Sequence, residues 1–554
     1  MTVTTLADRL HDRLFAAAPF AATYMGLPGY DADVPDGSAA GDATLRADLD
    51  AIRVEAAGLD AAGLSADEQT TLGCVTTIAD LTIKEIDAAL GDHTVTAMPF
   101  AGPPELFAVA ARTGLANGDA AADYLTRLNR SGEWIDRLTA RLRDGAARGR
   151  LPVAALVEQA IAWADATLQP DAPAALLAPA PPAGWDGESQ WRDDVLAAAR
   201  DVVRPALARW RALLADELLP RARSTDQPGL GALPSGDADY RRLIQLHTTL
   251  DIDAGSLHQI GVDTIAELED RALALGAELG LSDLPAIHAA MREAAASTDP
   301  HAAMEAARDA VRRAEARAAE VFPEPLPPPC EVAPMPPTVA ESGMAPHYTP
   351  PRPDGTAAGT YWYNTMLPTA GGGWDLEAVA FHEAVPGHHL QMSRSQLSEG
   401  SLPALQRNFP VTAHAEGWGL YAEQLAEEMG LYSDARQLLG GVTASLMRAA
   451  RLVLDSGLHA LGWTRAQAIE YYTAHVPLPR EFLANEVDRY ITMPGQALAY
   501  LTGKREILRL RDEARSTLGS RFDLPGFHAA VLDAGSLPIP VLEQRVRAWT
   551  AAPA

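Results

Sequence analysis

The sequence predicts a mainly α-helical protein, on three observations. Ala and Leu dominate its 554 residues, aromatic residues make up only 6%, and runs of β-branched residues are scarce. Apolar residues also recur at three- and four-residue steps through much of the chain, which is the period of an amphipathic helix. Because large helical proteins often form one continuous body, we expect the regions described next to pack together.

Four regions follow one another along the chain. Residues 1–166 form an N-terminal helical region with helices near 48–55 and 68–90, and residues 167–186 are a proline-rich connection. A second helical region spans 187–322, with helical stretches near 190–218, 240–279 and 284–322. Residues 323–554 carry the motifs on which the function depends, after an irregular proline-rich start at 323–353.

Charge and cysteine content limit the classes of partner and site. The formal net charge of −28 argues against nucleic acid or an anionic membrane as a partner. Two cysteines, Cys74 and Cys330, can build neither a disulfide framework nor a thiolate zinc site. Any metal must therefore be held by histidines and carboxylates.

The start of the chain and its hydropathy bear on location. Residues 1–9 have no basic segment followed by an apolar stretch, so we expect no secretory signal. No window approaches the roughly 18 uninterrupted apolar residues of a membrane span. We expect a cytoplasmic protein without a membrane partner, and the sequence does not predict an oligomeric state.

The central motif is residues 381–391, FHEAVPGHHLQ. A zincin motif places a second histidine four residues after the first, on the same helix face, but Pro386 holds that position here. Six residues turn a helix through about 600°, to the opposite face, and seven separate two rings by about 10 Å. On a regular helix, therefore, neither His388 nor His389 shares a metal with His382.

Pro386 and Gly387 offer two interpretations of this spacing. Pro386 cannot donate to the carbonyl of His382, and Gly387 tolerates unusual backbone angles, so a widened turn within one helix can bring His388 to the metal. Alternatively, the helix ends at Pro386 and the histidine pair lies in the following loop. We favour the metal site.

A second patch, residues 414–423, supplies carboxylates. Glu416 lies 28 residues after His388 and can complete the two-histidine, one-glutamate set of catalytic zinc sites. Glu423, seven residues later on the same helix face, can orient a ligand histidine. The alternative is a pair of surface glutamates. The aromatic Trp418 and Tyr421 between them argue against a fully solvated helix face.

Other candidate residues lie on either side of these motifs. Residues 360–365 form a predicted strand, either an ordinary packed strand or an edge strand that pairs with an extended peptide. Its candidate substrate contacts are Tyr361, Tyr363 and Asn364. Further candidates near the C-terminus, each also explicable as a core residue, are His459, Tyr490 and Tyr500.

Together these patches resemble the bacterial family called domain of unknown function 885, related to the gluzincin metallopeptidases. The matching segments are residues 18–27, 382–391, 416–423, 455–464, 489–490 and 494–500. The resemblance implies a zincin-like helical body with an active-site groove, a zinc site at its floor and a small sheet beside the metal-binding helix. It favours His388 over His389 as a ligand and places Glu416 like the downstream glutamate of helical carboxypeptidases.

The resulting hypothesis is a zinc metallopeptidase. Zn²⁺ is held by His382, His388 and Glu416, with His389 as alternative ligand, and Glu383 is the general base. His459, Tyr490 or Tyr500 donates to the oxyanion, and Arg489 binds a substrate carboxylate, which predicts carboxypeptidase-like trimming of short peptides. Two alternatives are a zinc hydrolase of a non-peptide amide, such as an acyl-amino acid, and a catalytically silent helical binding protein.

Overall fold

The computed structural model describes residues 2–169, 172–340, 345–351, 357–366, 373–397 and 402–552. Over these ranges the chain is mainly α-helical with one small sheet, which confirms the predicted class. Among the described residues no helix combines the length and hydropathy needed to cross a membrane.

The described part of the N-terminal region folds as seven α-helices, several of which have a hydrogen-bonded side chain at the N-cap. Ser65 caps one of them in a capping box with Glu68, so the helix predicted at 68–90 is observed two residues earlier at both ends. The helices are α1 Val3–Ala17, α2 Pro19–Tyr24, α3 Ala39–Ala57, α4 Ala66–Ala88, α5 Pro103–Ala110, α6 Gly118–Ala147 and α7 Ala154–Thr167.

The middle region is more divided than its periodicity predicts. Thr249 adopts a positive φ of 60°, which ends one helix, and Asp253 caps the next, so the stretch 240–279 is two helices. The stretch 284–322 is also divided, because Asp299 caps a new helix that begins at Pro300. The helices are α8 Glu188–Ala198, α9 Arg204–Ala212, α10 Gly236–Thr248, α11 Ala254–Glu278, α12 Leu284–Ser297 and α13 Pro300–Arg317.

The C-terminal region carries the motif helices. Thr464 forms a capping box with Gln467 at the start of the helix that follows Trp463. The helices are α14 Pro337–Ala340, α15 Leu376–Glu383, α16 His388–Leu397, α17 Ala404–Asn408, α18 Thr412–Glu428, α19 Ala435–His459, α20 Arg465–His475, α21 Arg480–Thr492, α22 Ala499–Leu518, α23 Leu524–Leu532 and α24 Ile539–Ala551.

The sheet has three short strands, β1 Glu331–Pro334, β2 His347–Thr349 and β3 Thr360–Tyr363, in the order β1-β3-β2. β3 is the strand predicted near 360–365. It pairs parallel with β1 and antiparallel with β2. The interpretation of this segment as an edge strand is therefore wrong, because hydrogen bonds to β1 and β2 occupy both of its sides. Among the described strands, β1 and β2 form the two edges of the sheet.

The hydrophobic core joins distant parts of the chain. One cluster includes Leu6 of α1 and Leu542 of α24, together with Phe381 and Trp418 beside the motifs. Another runs from Phe20 to Leu218 and so includes residues on both sides of the proline-rich connection. The metal-motif helices thus rest on a core shared with both ends of the chain. The region boundaries at 166, 186 and 322 stay predictions.

Candidate metal centre

The chain breaks between the two histidines of the motif. α15 ends at Glu383, α16 begins at His388, and the linking residues leave helical geometry at Ala384, with φ −103° and ψ −108°. The predicted widened turn within one continuous helix is therefore wrong. The alternative of a helix end is right for α15, although His388 opens a new helix instead of lying in a loop.

The link between α15 and α16 is held against α18. The indole Nε1 of Trp418 donates to the carbonyl oxygen of Pro386 over 2.9 Å. A Cβ at Gly387 would overlap the carbonyl oxygen of His382, so only glycine permits this close chain reversal. The two extra residues of the motif are accommodated by a buried turn packed on the helix that carries Glu416.

His382, His388 and Glu416 converge. Nε2 of His382 lies 3.5 Å from Oε2 of Glu416, and Nε2 of His388 lies 3.7 Å from the same oxygen. One ligand atom from each residue lies within 4.8 Å of the other two. Tetrahedral zinc with bonds of about 2.1 Å separates its ligand atoms by about 3.4 Å, so this spacing suits a shared metal better than direct hydrogen bonds.

The donor set and its surroundings fit zinc. Two imidazoles and one carboxylate form the set used by catalytic zinc sites, and the Glu416 side chain remains 22% exposed, so the centre is reachable. The two imidazole rings stand at 84° to each other. A Cβ at Gly419 would lie 2.5 Å from Cε1 of His382, so the backbone of α18 forms a close cradle for that ring.

Two carboxylates of α18 bind opposite sides of the His382 ring. Glu416 faces Nε2, while Oε1 of Glu423 lies 2.8 Å from Nδ1. Burial by itself would lower the pKa of His382, but the two neighbouring carboxylates raise it to about 9. Burial would raise the pKa of Glu416, yet the two imidazoles hold it well below its usual range. The pocket thus stabilises positive charge between these groups.

Glu383 lies beside the ligands and touches the sheet. Its Oε2 accepts a hydrogen bond from the backbone N–H of Tyr348 in β2, over 2.9 Å. Burial raises the pKa of Glu383 against the opposing effect of His382 and His388, and the neighbouring Glu416 adds to the rise. A carboxylate that is partly desolvated in this way is a stronger base than one in water.

His389 turns away from the converging ligands. Its Nε2 donates to the carbonyl oxygen of Pro328 over 2.7 Å, and its Nδ1 accepts from the Tyr348 hydroxyl over 3.1 Å. Both ring nitrogens therefore fasten α16 to the segment around β1 and β2.

His459 occupies the core of the neighbouring helices. Its Nδ1 accepts from the backbone N–H of Leu230 over 3.1 Å, and its Nε2 donates to the carbonyl of Tyr490 over 3.0 Å. Burial lowers its pKa to about 4. Both nitrogens are used by the backbone, so this arrangement leaves none for an oxyanion.

Tyr490 and Arg489 belong to one buried cluster around Glu486. The Tyr490 hydroxyl donates to Glu486 over 2.9 Å, and the Arg489 guanidinium donates to both Glu486 oxygens over 3.0 Å each. Arg451 contacts the same carboxylate and stacks on the Tyr500 ring, 4.3 Å from its centroid. Burial raises the pKa of Tyr500, and the charge of Glu416 raises it further.

The predicted substrate contacts on and after β3 face inward. Tyr361 is fully buried, and its hydroxyl has no hydrogen-bond partner among the described residues. Burial and the Glu383 carboxylate both raise its pKa. Tyr363 is also buried, and Asn364 donates to the carbonyl of Ala340 over 3.0 Å. These three residues are therefore buried parts of the sheet region, and the structure does not expose them to a substrate.

Comparison with known proteins identifies the family. A family model described as "Bacterial protein of unknown function (DUF885)" matches residues 19–546. The chain belongs to this family. No curated protein matches the sequence.

Two solved structures resemble this DUF885 protein over nearly their whole length. One, described as "the putative lipoprotein from Colwellia psychrerythraea", has a TM-score of 0.89 at 27% identity and covers 99% of this chain and 98% of its own. The other is "a putative lipoprotein of unknown function from Shewanella oneidensis", with a TM-score of 0.74 at 18% identity. The match covers 98% of this chain and 99% of that structure's chain. At 18% identity the likeness shows the fold alone.

Sequence reasoning missed three residues that shape the DUF885 site. Tyr348 contacts both Glu383 and His389. In the sequence it lies in an irregular proline-rich segment with no recognisable motif. Arg448 lies 3.5 Å from Glu423, and no local pattern marks it among the other arginines of its helix. Gly419 cradles His382. A small residue three positions after a candidate ligand was the one signal available.

Glu423→Gln should weaken zinc binding about 10–100-fold, since partners that orient a ligand histidine have effects of this size. The change removes the negative charge that faces Nδ1 of His382 while it preserves side-chain volume. Competition with a zinc-binding dye measures the affinity. Glu427→Gln, one turn further along α18 and paired with Arg271, is the matched control and should bind zinc normally. Equal affinity of the two variants would contradict the orienting role.

Proposed function

We propose that this DUF885 protein is a zinc-dependent metallopeptidase with a gluzincin-like site in an active-site groove. The observation that carries the proposal is the convergence of His382, His388 and Glu416 next to Glu383, whose carboxylate touches the edge of the sheet. A silent binding protein has no need of a base beside three metal ligands. Zn²⁺ is the cofactor that suits this donor set.

The residues divide the work of hydrolysis. A bound zinc ion would supply a Lewis acid that polarises the scissile carbonyl and lowers the pKa of a water molecule. Glu383 takes a proton from the attacking water as the new C–O bond forms, and passes it to the amine as the C–N bond breaks. Of the three predicted oxyanion donors Tyr500 is the candidate, because the hydrogen bonds described above engage His459 and Tyr490.

The outer edge of β2 favours a peptide over an acyl-amino acid. In an antiparallel pair, successive N–H groups of a strand alternate between its two sides. The N–H of Tyr348 reaches Glu383, so the side of β2 away from β3 faces the proposed base. On that side an extended peptide can pair with the carbonyl of Tyr348, since the N–H of the same residue binds Glu383, and this pairing aligns the peptide backbone with the site.

Trimming from the C-terminal end is the finer part of the proposal. Arg489, the predicted carboxylate-binding residue, already pairs with Glu486, and Arg451 shares the same carboxylate. Within this cluster two guanidinium groups face one carboxylate, so one positive charge is in excess behind Tyr500. That charge attracts a substrate carboxylate without requiring Arg489 to leave Glu486.

The similar solved structures bear on where in the cell the protein is located. The cytoplasmic location expected from the sequence stays a prediction, because each of the two similar solved structures is described as a "putative lipoprotein".

Metal analysis and substrate profiling test the function together. We expect one equivalent of zinc per chain, hydrolysis of short peptides, loss of activity with a chelator, and recovery when zinc is restored. A panel of acyl-amino acids run beside the peptide library separates the two amide substrates. A metal-free protein that hydrolyses nothing, with stability unchanged by zinc, would contradict the proposal and favour the binding protein.

A further inference from the structure

We propose that a cavity on the far face of the sheet accepts an aromatic or large aliphatic side chain of the peptide substrate. This inference rests on the proposed peptidase function and specifies its substrate class. The cavity has a volume of about 240 Å³, and its walls include Tyr24, Met25, Met335, His347, Thr349 and Trp362. That volume equals about eight liquid water molecules, at about 30 Å³ each.

Strand geometry connects the cavity to the metal centre. His347 and Thr349 line the cavity, and Tyr348 between them donates its N–H to Glu383. The side chains of successive strand residues point to opposite faces, so the cavity and the Tyr348 ring lie on opposite faces of the sheet. The register places Trp362 beside His347 and Thr360 beside Thr349, so all four share the cavity face.

A substrate paired with β2 must project alternate side chains to those same two faces. One set points toward α15 and α16, where Tyr348 contacts His389. The other set points toward the cavity, within one residue of the position beside Glu383. The cavity therefore lies where a residue next to, or near, the scissile bond would place its side chain.

The chemistry of the walls favours an apolar side chain. The polar atoms of β2 are satisfied from within the wall: Thr349 Oγ1 accepts from Trp362 Nε1 and from Arg112, each over 3.1 Å. Nε2 of His347 lies 2.6 Å from Arg112, whose guanidinium lies 5.7 Å from the centre of the Tyr24 ring. With these polar atoms engaged, the cavity offers aromatic rings and methionine side chains to its occupant.

Filling the cavity tests the inference. Ala111 and Ala358 both line it and are exposed, so Ala111→Trp and Ala358→Phe each add bulk at the cavity and leave the metal ligands unchanged. In peptides that differ at one position, we expect wild-type protein to prefer Phe over Ala by about tenfold or more in kcat/KM. Each filled variant should bring that ratio close to one while its zinc content stays the same.

Ala122→Trp, at an exposed position on α6 outside the cavity, is the matched control and should keep the wild-type ratio. An equal loss for all peptides in the filled variants, with zinc intact, would overturn the inference, because the wall would then only support the sheet. An unchanged ratio would overturn it as well.

Binding without turnover separates this inference from the proposed function. Tryptophan fluorescence can follow short Phe- and Ala-containing peptides binding to the full-length Glu383→Gln protein. Tighter binding of the Phe peptide, lost when Ala111→Trp is added, supports the cavity even if the wild-type protein hydrolyses nothing. Equal binding of both peptides overturns it, whether or not the protein is a peptidase.

Discussion

Glu383→Gln should lower the rate of peptide hydrolysis by about 10²–10⁴-fold and leave one equivalent of zinc bound, the size expected for loss of a general base. The amide keeps the side-chain volume and an oxygen that can accept from the N–H of Tyr348, so β2 stays in place. It cannot take a proton from water at neutral pH. Single-turnover hydrolysis together with metal analysis measures both effects.

A second buried glutamate on the same helix provides the control. Glu377 of α15 also accepts a backbone N–H, from Ser433 over 2.8 Å, and pairs with Arg313 away from the metal ligands. Glu377→Gln should cost stability but keep most of the hydrolysis rate. Full activity in Glu383→Gln, with its zinc retained, would rule out the proposed mechanism.

The sequence predicted the candidate ligands because their chemistry is local. With two cysteines, a metal had to be held by histidine and carboxylate, and the seven-residue spacing of Glu416 and Glu423 placed both on one helix face. The structure brings both carboxylates to the ring of His382, one at each nitrogen. Helical periodicity is sufficient for this kind of inference, since it depends on the rise and turn of a single helix.

Long-range pairing was beyond sequence reasoning. β3 was recognisable as a strand, but its central position depends on β1 and β2, which are four and three residues long. Short strands in proline-rich segments have too little alternation to predict. The edge of the sheet that faces Glu383 therefore appears only in the structure.

The form of the chain break at residues 384–387 also depends on contacts with distant residues. Proline and glycine marked the position, but two outcomes agree with those residues: a bulged helix and two separate helices. Packing decides between them, because Trp418 of α18 binds the carbonyl of Pro386 and stabilises the turn. The role of His459 could not be predicted for the same reason, since its hydrogen-bond partners Leu230 and Tyr490 come from distant segments.

Two adjacent histidines make possible a sharp test of the metal centre. His388→Ala should abolish stoichiometric zinc binding, because it removes the imidazole whose Nε2 lies 3.7 Å from Oε2 of Glu416. Hydrolysis should fall with the metal. His389→Ala, one residue further, removes a ring that contacts Pro328 and Tyr348, so it should retain zinc and lose some stability.

Thermal unfolding with and without added zinc distinguishes the two variants. A ligand that binds only the folded state stabilises it by about 2.7 kcal/mol at a concentration 100 times its Kd. Wild-type and His389→Ala proteins, stripped of metal, should therefore gain melting temperature when zinc is added, and His388→Ala should gain little. The reverse pattern would make His389 the ligand and would require the start of α16 to rotate, with loss of the hydrogen bond between His389 and Pro328.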